Sequence, residues 1–392
     1  MISRLLQTIN CEALRARAEA LRNGMHCTIS LPTANEAYFN FDILGGCNYH
    51  ASIHFEDGKS WLARFRLPNH NAPPLQERNF DRRSEFATYR SLAGTSIPVS
   101  QVYDFADDED PANPVGAGYI LLEKLPGKPM TWYNATEVQK ESFSRQLADI
   151  YIDLEQHPFD VLGRLHPIAT TRQPEVGPAF FDYNPNGELL SFGPFKHSSD
   201  YYTALIERRI NLIKSGEIST SAPVDLYLVY KTLLDHAPQQ EEPAPPFFLR
   251  HVDSRDANFL IDDDYKITGI IDWELAILAP KSSAFQSPLL MYDLGELYQE
   301  GLSTPSEDER RFARILREDK GRDDLALLAA QKMNFRFEQC IETDPHEWET
   351  FLQLFAGWSK AVTGMTTFDW DSWRKEALNK YGDGALAGRT AS

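Results

Sequence analysis

The stretch Pro246-Phe-Phe-Leu-Arg-His251-Val-Asp253-Ser-Arg255-Asp-Ala-Asn258-Phe-Leu-Ile261, then Asp262-Asp-Asp264, then Tyr265-Lys-Ile-Thr-Gly-Ile-Ile-Asp272-Trp273-Glu274, sets the reading of the whole chain. Its apolar runs at 247–250 and 259–261 read as short strands. The run 266–271 should pair with the second of these through the Asp262–Asp264 turn, because Asp tolerates turn geometry and apolar residues flank it. Asp253, Asn258 and Asp272 would then leave the ends of neighbouring strands within a small volume. A carboxylate five residues before an amide, with a second carboxylate closing a hairpin, suits metal-assisted phosphoryl transfer. The first carboxylate can accept a hydroxyl proton, while the amide and the second carboxylate hold Mg²⁺ against nucleotide phosphates. Any one of these residues is an ordinary turn residue; the combination is not.

Length and composition narrow the field. A chain of 392 residues exceeds a typical single core, so two lobes are expected. Hydrophobic residues make up 42% and aromatics 12%, which excludes wholesale disorder. A formal charge of −18 argues against nucleic acid as a partner and would suit a cationic substrate, but a solubility charge spread over the surface is the better explanation. No apolar run is long enough for a membrane span; residues 1–10 turn polar too soon for a secretory h-region and Glu12 argues against a transit peptide, so neither is expected. Cys11, Cys27, Cys47 and Cys340 lack disulfide or zinc spacing, so a reducing, cytoplasmic setting is expected.

Residues 3–22 carry apolar side chains at helical spacing and read as one docking helix. A strand at 37–44 leads into Gly45-Gly46-Cys47-Asn48, then strands at 49–55 and 60–67 flank the turn Glu56-Asp57-Gly58-Lys59. A glycine pair between strands lets backbone approach phosphate closely. Gly58-Lys59-Ser60 is not a P-loop, because Ile53 stands where the first glycine belongs. Arg64 lies on the third strand. A helix over 74–93 carries Glu85 on its apolar stripe, where an acid wants a cation, and Arg64 is the candidate. The strand 119–124 ends at Leu125-Pro126-Gly127, a hinge candidate. Beyond it, helices are expected over 137–156, 199–214, 223–236, 288–300, 306–318, 322–343 and 345–364. The forty residues 157–197 read as a functional or packing insertion.

The motifs His251-Val-Asp253, Asn258 and Ile271-Asp272-Trp273-Glu274 resemble the catalytic loop and metal-binding segment of the aminoglycoside phosphotransferase and choline kinase branch of the protein-kinase-like fold, in its divergent fungal form. The resemblance implies an α+β, two-lobed architecture: an N-terminal extension (1–35), an antiparallel nucleotide-binding lobe with one helix (36–125), a larger helical lobe (126–380) and a tail (381–392). The site would lie in the cleft between the lobes. It further implies an ATP- or GTP-dependent O-phosphotransferase using Mg²⁺. Asp253 would be the base, with Asn258 and Asp272 on the metal. Gly45, Gly46 and Asn48 would form the nucleotide loop, and Arg64 with Glu85 the phosphate-binding pair. Glu123 and Leu125 would meet the adenine edge through their main chain. His251 would brace the metal-binding segment, and Arg255 stands where protein kinases carry a lysine that reaches the transferred phosphoryl group. Arg64 departs from the family's lysine. That change, the sparse glycines and Val252 leave a second reading open: a pseudokinase that binds nucleotide without transfer. The acceptor is not named by the sequence.

Overall fold

The computed structural model describes residues 2–33, 35–36, 47–68, 73–168, 174–184, 186–218, 220–242, 245–301, 304–331, 333–343 and 345–382. The expected strand at 37–44 and the glycines Gly45 and Gly46 lie outside these residues. Contacts divide the chain into two compact units: residues 1–131, 164–177 and 251–276 form the first, and residues 132–163, 178–250 and 277–392 the second.

The first unit opens with two helices where one was expected, α1 (Ile2–Thr8) and α2 (Cys11–Leu21). Asn10 causes the break: its side chain accepts the Ala13 amide and starts a new helix. There follow β1 (Cys27–Ser30), β2 (Asn48–Phe55), β3 (Ser60–Arg66), α3 (Leu75–Leu92), β4 (Val102–Ala106) and β5 (Tyr119–Glu123). The strands form one antiparallel sheet in the order β1-β2-β3-β5-β4. The tight β2–β3 turn needs Gly58 at φ +85°, which a side chain would resist.

Strand alternation then assigns the faces. Tyr49, Ala51, Ile53 and Phe55 of β2, with Trp61, Ala63 and Phe65 of β3, join Leu5, Leu14 and Ala18 of the terminal helices in one core. Arg64 and Arg66 alternate with these apolar residues and so point the other way. On that side α3 supplies Glu85, which pairs with Arg64. No Gly or Pro interrupts α3, so it runs eighteen residues.

The remaining strands of this unit are β6 (Lys128–Pro129), β7 (Arg164–His166), β8 (Glu175–Gly177), β9 (Phe259–Ile261) and β10 (Ile267–Ile270). The β9–β10 hairpin forms as expected, on a slightly shorter second strand. Asp262 Oδ1 accepts the amides of Asp264 and Lys266 at 3.0 and 2.9 Å, and Tyr265 takes φ +59°. The run 248–250 behaves differently. It pairs antiparallel with Ile277–Ala279. Three residues can satisfy the hairpin or this partner, so local pattern does not choose between them.

The second unit is mainly helical. Its helices include Glu137–Glu155, Ser198–Ser215, Pro223–His236, Glu307–Arg314, Trp348–Thr363 and Trp370–Tyr381, the last of which was not anticipated. Phe351, Leu354, Phe355 and Trp358 bury one face of the Trp348–Thr363 helix against Leu226, Tyr230 and Phe337. The expected insertion contributes a hairpin, Phe180–Tyr183 with Leu189–Phe192. Among the described residues no helix is long and apolar enough to cross a membrane.

Candidate active site

Two backbone-directed hydrogen bonds assemble the loop between His251 and Asp272. Asn258 is buried, and its Nδ2 donates to the Asp253 carbonyl at 2.7 Å, while the Ile271 amide donates to the Asn258 carbonyl at 2.9 Å. His251 Nε2 lies 2.8 Å from the Ile271 carbonyl. A carbonyl only accepts, so Nε2 carries the proton. Burial holds this imidazole below its ordinary pKa, and its ring packs edge-on against Trp273 at 4.6 Å. His251 therefore braces the chain entering Asp272, as the resemblance implied, and is unsuited to act as a base. Asn258 and Asp272 thus flank the paired strands β9 and β10, as expected, and the Asn258 amide ties the Asp253 backbone to them.

Asp272 adopts φ +62°, a left-handed conformation that Asp tolerates better than most residues. Its Oδ1 accepts from Arg64 Nη2 at 2.7 Å. Burial would raise its pKa, but the Arg64 charge and hydrogen bond, with His251 and Arg255 nearby, together leave it below the ordinary value. The same Nη2 donates to Glu274 Oε2 at 2.7 Å, and Arg64 Nη1 pairs with Glu85. One buried guanidinium therefore serves three carboxylates. Burial opposes its charge, yet Glu85, Asp272 and Glu274 together hold its pKa above the ordinary value. Glu85 is the most desolvated of the three, and burial pushes it up to about 8 despite Arg64. Burial outweighs the pairing with Arg64, and the neighbouring Glu274 and Asp272 charges add to it, so this carboxyl favours its proton.

Asp253 is partly exposed, as Asp272 is. Its carboxylate meets Arg255 Nη2 at 2.8 Å, with side-chain exposures of 36% and 61%. Arg255 thus pairs with the candidate base itself.

The residues expected to meet nucleotide are distributed unevenly. Asn48 is buried and donates from Nδ2 to Glu274 Oε2 at 3.1 Å. Asn48, Arg64 and Glu85 line one cleft of the first unit. Glu123 lies at the end of β5, its amide donating to the Gln101 carbonyl at 2.8 Å, and Leu125 packs against Gly269. Gly45 and Gly46 are outside the described residues.

Sequence reasoning missed Glu274 and Arg66. Glu274 collects Arg64, Asn48 and Arg66. The signal was available: Arg66 stands two residues after Arg64, hence on the same strand face, and Glu274 two after Asp272.

Asn258 and Asp272 offer hard oxygen donors. With its amide nitrogen committed to Asp253, Asn258 keeps Oδ1 for a cation, which fits Mg²⁺ bound through few protein oxygens and substrate phosphates. Among the described residues no group of three or more His, Cys, Asp or Glu side chains forms a preassembled metal cage.

Against known proteins, the profile of the phosphotransferase enzyme family matches residues 53–280, well over half of the chain. The chain belongs to that family. No curated protein matches it. Among solved structures, a candidate aminoglycoside phosphotransferase from Ralstonia eutropha is 15% identical, with 91% of this chain and 99% of that one covered and a TM-score of 0.51. ADP-bound aminoglycoside phosphotransferase APH(2'')-Ib is 11% identical, covering 90% and 99%, with a TM-score of 0.48. A candidate fructosamine-3-kinase from Thermobifida fusca is 17% identical, covering 93% and 98%, with a TM-score of 0.43. At such identities the likeness concerns the fold, which is the kinase-like α+β fold that the motifs implied. Membership in the phosphotransferase family makes phosphoryl transfer the class of chemistry in question.

Proposed function

We propose that this member of the phosphotransferase family transfers the γ-phosphoryl group of ATP or GTP to a hydroxyl of a small molecule. The observation that carries the reading is the hydrogen-bonded grouping of Asp253, Asn258 and Asp272 beside Arg64. Asp253 takes the acceptor's proton as its oxygen bonds to the γ-phosphorus. The bond to the bridging oxygen breaks, and the nucleoside diphosphate leaves. Asn258 Oδ1 and Asp272 would hold Mg²⁺, which when bound supplies charge neutralisation at the phosphates. Arg255 neighbours the transferring group, where a preorganised cation counts most. The acceptor class is a hydroxylated metabolite or antibiotic, and the excess of acidic residues suits a cationic one. The test is to incubate purified protein with MgATP or MgGTP and a panel of hydroxyl compounds, aminoglycosides and choline included, and to follow phosphorylated product by mass spectrometry. Nucleotide binding without product across the panel would count against the reading.

One observation favours a second reading, a nucleotide-binding pseudokinase. Asp272 is occupied by Arg64 and Asp253 by Arg255, so both working carboxylates are already paired. Thermal shift with MgATP and MgGTP followed by hydrolysis assays separates the two: stabilisation with no turnover supports the scaffold.

A further inference from the structure

The cleft beside Arg64 holds four arginines, and three of them are committed. Arg64 is shared among Glu85, Asp272 and Glu274. Arg82 donates to Asn79 and Asp108, both at 2.9 Å. Arg78 lies 3.5 Å from the same Asp108 oxygen and donates to the Pro73 carbonyl at 3.2 Å. Arg66 differs. Its Nη1 pairs with Glu274, and its buried Nε has no partner among the described residues. A buried donor without an acceptor is costly, so this one is poised for an incoming anion. The rigid fork of a guanidinium matches phosphate oxygens, and the Nε edge is part of that fork.

Placement supports the same end. Arg64 and Arg66 share a face of β3, and Glu274 holds both heads, so Arg66 flanks the cation that stands where the family carries its phosphate-binding lysine. Arg64 already spends three of its five donors on carboxylates. We propose that Arg66 is the phosphate-binding residue for the nucleotide, and that Arg64 chiefly organises the surrounding carboxylates. This deepens the nucleotide-dependent reading above and rests on it.

The experiment compares dissociation constants of MgATP and adenosine, by competition against a fluorescent nucleotide, for wild type and for Arg66→Ala, Arg66→Gln and Arg66→Lys. Circular dichroism checks that each variant folds, and the Gln and Lys variants preserve side-chain length where Ala fails. Loss of Arg66 should weaken MgATP about ten- to a hundredfold, the scale of one charged phosphate contact, leave adenosine within about twofold of wild type, and be only partly reversed by Lys, which restores the charge but not the fork. Unchanged MgATP affinity in Arg66→Gln overturns the assignment, as does an equal loss for MgATP and adenosine. A wild-type protein that binds neither MgATP nor MgGTP defeats the functional reading itself, a result distinct from variants that bind as wild type does.

Discussion

Arg64 and Arg255 each grip a carboxylate of the candidate site at 2.7–2.8 Å, yet they are physically opposite contacts. The Arg64 side chain is 7% exposed and ringed by Glu85, Asp272 and Glu274; that of Arg255 is 61% exposed and, among the described residues, forms its ion pair with Asp253. Charges removed from water must be paired, and removing one partner strands the rest. Exposed pairs are screened and exchange readily with solvent or ligand. Distance therefore does not rank these interactions; burial does. Arg64 belongs to the architecture that shapes the site, whereas the exposed Arg255–Asp253 pair can open at little cost.

The sharpest way to break this contrast is Arg64→Ala. It should cost about 3–5 kcal/mol of stability by stranding Glu85 and Asp272 without their cation and leaving Glu274 to Arg66, read as a lowered urea midpoint. A wild-type midpoint would remove Arg64 from the architecture. Next, Asp253→Asn should lower turnover by at least roughly two orders of magnitude, the scale of a lost general base, with nucleotide affinity retained. Steady-state kinetics with the identified acceptor checks this, and near-normal kcat would end the base assignment.

The third prediction uses Glu85, whose folded pKa is raised to about 8 from 4.5. The stabilising contribution of a raised group is full below its ordinary value and disappears as pH climbs through the folded value. Melting temperature should therefore decline from pH 5 to pH 9, by on the order of 1 kcal/mol of stability per pH unit at most. Glu85→Gln should flatten that slope. Asp272, shifted down, acts in the opposite direction and only on acidification below its ordinary 3.8, outside this window. An identical slope in the Gln variant would locate the titration elsewhere. The smallest effect is expected of Arg255→Ala: kcat lower by about tenfold, the modest end for a charge-stabilising donor, with no shift in melting temperature. Lower stability with unchanged kcat would assign Arg255 to loop architecture and erase the contrast with Arg64.

Much of this was legible locally. Asp262 announced the β9–β10 turn because its carboxylate can accept two amides of its own turn. Strand alternation separated Trp61, Ala63 and Phe65 from Arg64, and the helical stripe carrying Glu85 called for a cation, which Arg64 supplies. Asn10 shows how one capping residue overrides a continuous periodic pattern: the expected single helix became two.

What sequence by itself determined, then, was the identity of the polar residues and the faces on which they stand, since both follow from residue chemistry and from the periods of strand and helix. Tertiary structure alone decided which of them meet. It paired residues 248–250 with 277–279, and it brought Asp272 and Glu274 across 208 and 210 residues of chain to one arginine. It also left Arg66 with a buried donor to spare. Such meetings depend on long-range packing, where each carboxylate finds the partner that burial leaves within reach, and no local period encodes that choice.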